Sequence, residues 1–292
     1  MDVKVVQDNL TSPQEGGILY VTATPIGNMD DITVRALKML SQMDLIIAEN
    51  VSHTLKLCSH YGIKTHVTTY NQHNSKKKTK NIISQLESGA KIALVTDAGT
   101  PGISDPGSSL VKAAAEKNIK IVPLPGPSAV ITALSIAGFP AEQFIFMGFP
   151  STKKGKRLME FETLRYEKRT AVFFEAPHRL KRMLVDLKVI IEKRHMVVVR
   201  ELTKVFEEIV RGTAEEICDF FELHEPKGEF SIVVEGYTGE NPSVYTEKEI
   251  DEILNSVLKK NPLISTRDAA KLISSESKLP YRQVYKLLIE KE

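Results

Sequence analysis

From Gly17 onward, short runs of β-branched and other apolar residues alternate with segments whose apolar positions recur at helical spacing. The first run, 18–23, predicts a strand that ends in the turn Thr24-Pro25-Ile26-Gly27-Asn28. A helix over 32–43 with Asp31 as its N-cap follows, then a buried strand over 44–48. The alternation continues with a helix over 54–61, a weak strand over 66–69, a helix over 77–86 and a strand over 91–96. A helix over 108–117, a strand over 119–122 and a helix over 129–137 complete the series. Such a succession of βαβ units predicts a mostly parallel sheet. Strands near 170–174, 196–200 and 230–234, with helices near 178–191 and 213–223, predict a second α/β part.

The passage between the two parts is read at Phe144 to Phe149 and the following Pro/Ser/Lys stretch to Arg157. A loop-like linker follows Gly236, and mixed-charge helical composition runs to Glu292. The expected organisation is an α/β chain with a first domain over 17–149, a second over 150–236 and a small helical extension over 246–292. A chain of 292 residues with 42% hydrophobic content is long enough for two cores and such an appendage. The net charge of +2 means that attraction to a polyanion must come from local clustering. Two distant cysteines, no secretory leader and no apolar run of about 18 residues point to a reducing, cytoplasmic setting without membrane insertion.

Three Gly/Pro-rich loops each follow a strand and precede a helix: 24–28, 97–107 and 125–129. In an open α/β sheet such loops gather outside the carboxyl ends of the strands, where ligands bind, so they are expected to converge on one crevice. Glycine admits close approach of backbone to ligand, and proline fixes the loop before binding. A neutral adenosine suits that lining. Neither G-x-x-x-x-G-K-[ST] nor a G-x-G-x-x-G after a strand occurs, which disfavours P-loop triphosphatases and Rossmann-type methyltransferases.

The motifs T-P-I-G-N, D-A-G-T-P-x-I-S-D-P-G and P-G-P-S-A, in this order, resemble the tetrapyrrole methylase superfamily. Phe174-Glu175-Ala176-Pro177-His178-Arg179-Leu180, Arg200-Glu201-Leu202-Thr203-Lys204 and Gly228-Glu229-Phe230 are similar to its RsmI-type branch, which methylates the 2′-hydroxyl of a cytidine in 16S ribosomal RNA. The resemblance implies two α/β domains with S-adenosylmethionine held between them. It implies contacts from Pro25, Asp97, Gly99, Thr100, Ile103, Ser128 and Ala129 on one side and Phe174, Leu202 and Phe230 on the other. It also implies a homodimer, and 16S ribosomal RNA or the 30S subunit as partner. Where members of the branch commonly read A-E-D-T-R, this chain reads Ala48-Glu49-Asn50-Val51-Ser52, losing a carboxylate and an arginine.

Between Val51 and Leu86 there is no acidic residue, while six lysines, among them Lys76, Lys77 and Lys78, fall there. Lys153 and Lys154 open a second basic cluster, and Arg179 and Arg200 follow in the later motifs. Cationic side chains of this kind supply most of the affinity for a nucleic-acid backbone, and the planar fork of arginine suits a phosphate. His53, His60, His66 and His73 lack the close spacing of metal ligands, so no metal is expected. Methyl transfer from a sulfonium needs alignment and a proton acceptor near the methyl group. Glu49, Asp105, His178, Glu201 and Lys204 are the acid–base groups of the expected crevice, with Glu49 and Glu201 favoured. Two other functions compete: a small-molecule methylase acting on a tetrapyrrole, and an RNA-binding relative without catalysis.

Overall fold

The computed structural model describes residues 16–72, 74–103, 107–239, 255–257, 264–277 and 281–289. The described residues up to Gly236 form one compact unit and those from Tyr237 a second. In the first, β1 (Ile18–Thr22), β2 (Leu45–Ala48), β3 (Val67–Thr69), β4 (Lys91–Val95) and β5 (Lys120–Leu124) make a sheet of order β3-β2-β4-β1-β5. All four pairings are parallel. Because consecutive strand residues face opposite sides, Ile46 and Ala93 pack under α1 (Val34–Leu40) and α2 (Val51–His60). Their neighbours Ile47 and Leu94 pack under α3 (Ser75–Glu87) and α4 (Ser108–Glu116). Continuous apolar runs are what a sheet covered on both faces requires.

The first helix starts later than the sequence predicts. Asp31 belongs to a short 3-10 turn, Met29–Asp31, whose leading residue Asn28 accepts the Asp30 amide at 3.1 Å. Extended Thr33 then caps α1, its hydroxyl accepting the Ala36 amide at 3.1 Å. A threonine that reaches an orphan amide of the first turn is the stronger start signal.

The second sheet holds β6 (Phe144–Phe146), β7 (Thr170–Glu175), β8 (His195–Arg200), β9 (Glu208–Thr213) and β10 (Phe230–Val234) in the order β6-β7-β10-β8-β9. Only β6–β7 is parallel. The interdomain passage is therefore itself part of a strand, and β9 was not expected at all. It is an edge strand that sets Glu208 and Arg211 among its apolar residues, so its period is faint. Helix α6 (Lys154–Glu162) begins inside the basic stretch read as loop, because Arg157 turns inward to Asp186 of α7 (Pro177–Ile191), Nε to Oδ2 3.0 Å.

Helices α6, α7 and α8 (Ala214–Leu223) cover one face of this sheet through Phe161, Leu184 and Ile217. The other face is covered by α5 (Ala129–Ala137), whose Val130, Ala133, Leu134 and Ala137 meet Val172, Val197, Val199 and Val233. A helix that follows the last strand of the first sheet thus supplies the core of the second. In the second unit, helices Thr266–Ser277 and Tyr281–Ile289 pack through Ala269, Ala270, Ile273, Val284 and Leu288. Of the rest of the expected extension, 255–257 and 264–265 are described, with Val257 in the same core, and the remainder lies outside the described residues. No helix among the described residues is long and apolar enough to cross a membrane.

Candidate active site

Strands β4, β1 and β5 are neighbours, so the three Gly/Pro loops leave the sheet side by side. They are tied to one another by backbone. Thr24 and Gly99 exchange both main-chain hydrogen bonds, at 2.9 and 3.0 Å, and the Thr24 hydroxyl donates to the Thr96 carbonyl at 3.0 Å. Gly99 adopts φ +76°, a region open to glycine at little cost. The Thr100 hydroxyl donates to the Pro127 carbonyl at 3.4 Å, joining the second loop to the third.

Facing these loops stands the end of the second sheet, where Phe230 pairs with Glu175 and Ser231 with Phe174 across β10 and β7. Loops and sheet enclose a cavity of about 390 Å³, within the size range of small-molecule sites. Of the residues singled out for the cofactor, Gly99, Thr100, Ile103, Ser128, Ala129, Phe174 and Phe230 line it. The first loop contributes Ile26 rather than Pro25. Leu202 is buried beside Ile26 in the core, and Asp97 opens onto a neighbouring pocket. Phe149 and Phe174 meet edge to face at 5.6 Å, giving the cavity an aromatic wall.

The first loop is clamped from the second lobe. The Asn28 amide donates to the Thr203 hydroxyl at 3.0 Å, and a Cβ on Gly27 would stand 2.5 Å from the Leu202 carbonyl oxygen. Only hydrogen fits at that approach. Glu201 and Thr203 take the left-handed conformation, φ 53° and 63°. Glu201 does not line the cavity; its Oε1 accepts the Glu229 amide at 2.9 Å and the Lys204 ammonium at 3.0 Å. Burial alone would raise its pKa, but that amide and Lys204 outweigh burial and hold it below the ordinary value. A carboxylate so stabilised is a weak base, and its geometry is that of a brace.

Glu175 was not singled out beforehand. It is 2% exposed and lines the cavity. Its Oε1 accepts from the Ala176 amide at 2.9 Å and pairs with Arg179 Nε at 3.1 Å, whereas Oε2 has no hydrogen-bond partner. Burial pushes its pKa up, against the opposing pull of the Ala176 amide, Arg179, Arg157 and His178. The available signal was a lone acid ending an otherwise apolar buried strand, TAVFFE.

Beside the cavity lies an open polar pocket formed by Glu49, Asn50, Val51, Ser52, Thr69, Asn71 and Asp97. Glu49 Oε2 accepts the Thr96 hydroxyl at 3.1 Å, and Asp97 Oδ1 is a buried oxygen without a partner. Asn50 caps α2, its side-chain oxygen accepting the Ser52 and His53 amides at 3.0 and 3.3 Å. An aspartate at this position would make the same cap, so the fold tolerates the exchange.

The basic residues divide by engagement. Lys77, Lys153 and Lys154 are exposed, Lys154 standing 3.9 Å from Asp186. Lys78 donates to the Thr69 carbonyl at 2.7 Å. Arg179 binds Glu175 and the Pro150 carbonyl, and Arg200 binds the Lys227 carbonyl at 2.7 Å and Glu208 at 3.5 Å. The Lys76 side chain lies outside the described residues, as do Asp105 and His73.

The residues present fit S-adenosylmethionine. Apolar and aromatic walls suit the faces of an adenosine, and the unpaired acceptor on Glu175 suits a donor of a polar, cationic molecule. Residues 19–218 match the model of the tetrapyrrole (corrin/porphyrin) methylases, and the chain belongs to that family. Solved structures share the fold: a cobalt precorrin-4 methyltransferase aligns with TM-score 0.59 at 19% identity over 77% of this chain and 98% of its own. Diphthine synthase aligns with TM-score 0.59 at 14% identity, covering 77% and 91%.

Within the family the chain groups with proteins named ribosomal RNA small subunit methyltransferase I. It is 43% identical to that of Synechocystis sp. over 94% of this chain and 99% of the relative. It is 39% identical to that of Bacillus subtilis over 96% of each, and 44% identical to that of Thermotoga maritima over 75% and 99%.

Proposed function

We propose that this chain transfers the methyl group of S-adenosylmethionine to the 2′-hydroxyl of a cytidine in small-subunit ribosomal RNA. The observation that carries the reading is the cavity between the three loops and the second sheet, in a chain related along nearly its whole length to small-subunit ribosomal RNA methyltransferases. When bound there, the cofactor supplies an electrophilic methyl group on a sulfonium. Gly99, Thr100, Ser128 and Ala129 hold its adenosine, with Phe174 and Phe230 against the opposite side. The aromatic wall keeps water from the reacting centre.

The acceptor nucleotide enters by the polar pocket, which adjoins the cavity at the Asp97-Ala98 step. Glu49, fixed by the Thr96 hydroxyl, takes the ribose proton as its oxygen bonds to carbon. Glu201 acts instead by bracing the loop that clamps Gly27. Exposed Lys77, Lys153 and Lys154 meet RNA phosphates, while Arg179 and Arg200 serve the protein first. The enzyme works in the cytoplasm on 16S ribosomal RNA within the 30S subunit, and as a homodimer.

The test is transfer of labelled methyl to 30S subunits lacking the modification, with naked 16S RNA and a tetrapyrrole as parallel substrates. Alkali-resistant label at one cytidine is the expected result. Label on the tetrapyrrole and none on RNA would replace this substrate with a small molecule. Labelling that survives Glu49→Gln at the wild-type rate would remove Glu49 from the proton transfer.

A further inference from the structure

Among the described residues two carboxylates line the cavity, and their surroundings differ. The Glu229 side chain is 78% exposed and neutralised by Lys204 at 2.9 Å. Glu175 is sealed in the wall, and one of its oxygens is spent on Ala176 and Arg179 while the other is unpaired. Arg179 approaches Oε1, and among the described residues the charges of Arg157 and His178 also act on this carboxyl. No lysine or arginine is among the described residues lining the cavity, which include Phe149, Phe174 and Phe230. A buried acceptor without a donor beside aromatic faces is an environment that favours a cation.

This inference rests on the reading of the cavity as the cofactor site. In the transfer, the C–S bond breaks with its electron pair going to sulfur and the C–O bond forms. The ribose proton leaves to a base. The cofactor thereby loses one positive charge and is otherwise unchanged outside the methyl group. We propose that Glu175 is a charge-selecting residue, whose carboxylate favours the sulfonium cofactor over the neutral thioether product and so assists product release. Charge interactions in a poorly hydrated wall are strong enough to separate two ligands that differ by one charge.

The test is calorimetric binding to the full-length protein of S-adenosylmethionine, S-adenosylhomocysteine and sinefungin, which carries an amine in place of the sulfonium methyl. Glu175→Gln is nearly isosteric and retains an acceptor for Ala176 and Arg179. It is expected to weaken the two cationic ligands about tenfold relative to S-adenosylhomocysteine, and Glu175→Asp to restore part of the difference. An equal change for all three ligands, or none, overturns the proposal. Failure of the wild-type chain to bind any of the three overturns the cofactor reading itself, and this proposal with it. Should thermal melting show that Glu175→Gln does not fold, the ratio of affinities is followed in the wild-type chain from about pH 8 to about pH 5. His178→Gln is measured in parallel to remove the neighbouring titration. A preference for the cationic ligands that does not decline with acid sinks the idea.

Discussion

The two sheets build opposite walls of one cavity by different means. The parallel sheet contributes loop backbone: its strands end in Gly/Pro turns held by main-chain bonds such as those between Thr24 and Gly99. The mixed sheet contributes side chains from within strands, where register alone sets Phe230 beside Glu175. Their electrostatics differ in the same sense. Ion pairs of the first lobe such as Lys112–Glu116 and Lys117–Glu87 are exposed at both ends, whereas the second lobe buries Arg157 with Asp186 and sets buried Glu175 against half-buried Arg179. A loop wall can be rearranged by a change of turn residue. A strand wall can be altered only at the expense of the sheet or of a buried charge.

The largest expected effect falls on the buried charges. Asp186→Ala leaves the Arg157 guanidinium unpaired between α6 and α7, where the two side chains are 6% and 8% exposed. It should lower the unfolding free energy by about 3–5 kcal/mol, measured by urea denaturation. The double change Arg157→Met with Asp186→Leu should recover most of that loss, and failure to recover would mean that the pair's hydrogen bonds to the 151–152 carbonyls matter more than its charge.

Gly27→Val drives a side chain against the Leu202 carbonyl and separates the loop wall from its clamp. Affinity for S-adenosylmethionine is expected to drop at least about tenfold, with a stability loss of about 1–3 kcal/mol from overpacking. Unchanged affinity would show that the clamp does not shape the cavity.

Asn50→Ala removes the cap of α2 and should cost about 1 kcal/mol, while Asn50→Asp should be neutral or slightly stabilising through the helix dipole. A thermal melt separates the two. An Asn50→Asp chain with greatly increased methyl transfer would show that the carboxylate has a chemical role beyond the cap.

The smallest effect is expected at Glu167, which bonds Arg169 at the entry to β7. Its pKa is held at about 2 chiefly by the Arg169 side chain. Because the folded value lies below the unfolded value of 4.5, the interaction stabilises fully above the latter and is lost as pH falls toward the former. Glu167→Gln should therefore cost at most about 1 kcal/mol at neutral pH, and the gap to wild type should close in acid. A gap that persists at pH about 2 would assign the effect to packing rather than charge.

Much of the first lobe was legible because its signals are local. Apolar runs of four or five residues, turn glycines and prolines, and helical spacing mark β1 to β5, and the three loops they place do line one cavity. The individual residues of those loops, like Phe174 and Phe230, were named through the resemblance of the motifs that hold them, and Gly99, Thr100, Ile103, Ser128, Ala129, Phe174 and Phe230 lie in the cavity wall. Long-range geometry left no such mark. Strand β9, the start of α1 at Thr33, and the inward turn of Arg157 depend on partners distant in sequence or on competition between nearby caps.

Glu201 and Glu175 make the division plain. Both are acids in family-like motifs; the apolar strand before Glu175 marks it as an acid at a strand end, but only its contacts show it to be a cavity wall and Glu201 a brace. The sequence by itself determined the order of elements, the parallel character of the first sheet and the loops that line the cavity, since each follows from period and turn chemistry within a few residues. Only the tertiary structure decided that α5 serves the second sheet, that Glu201 is spent on Lys204 and Glu229, and that Glu175 keeps one buried oxygen unpaired. Burial and pairing are properties of what packs against a residue, and Glu229, which bonds both Glu201 and Lys204, lies 28 and 25 positions from them.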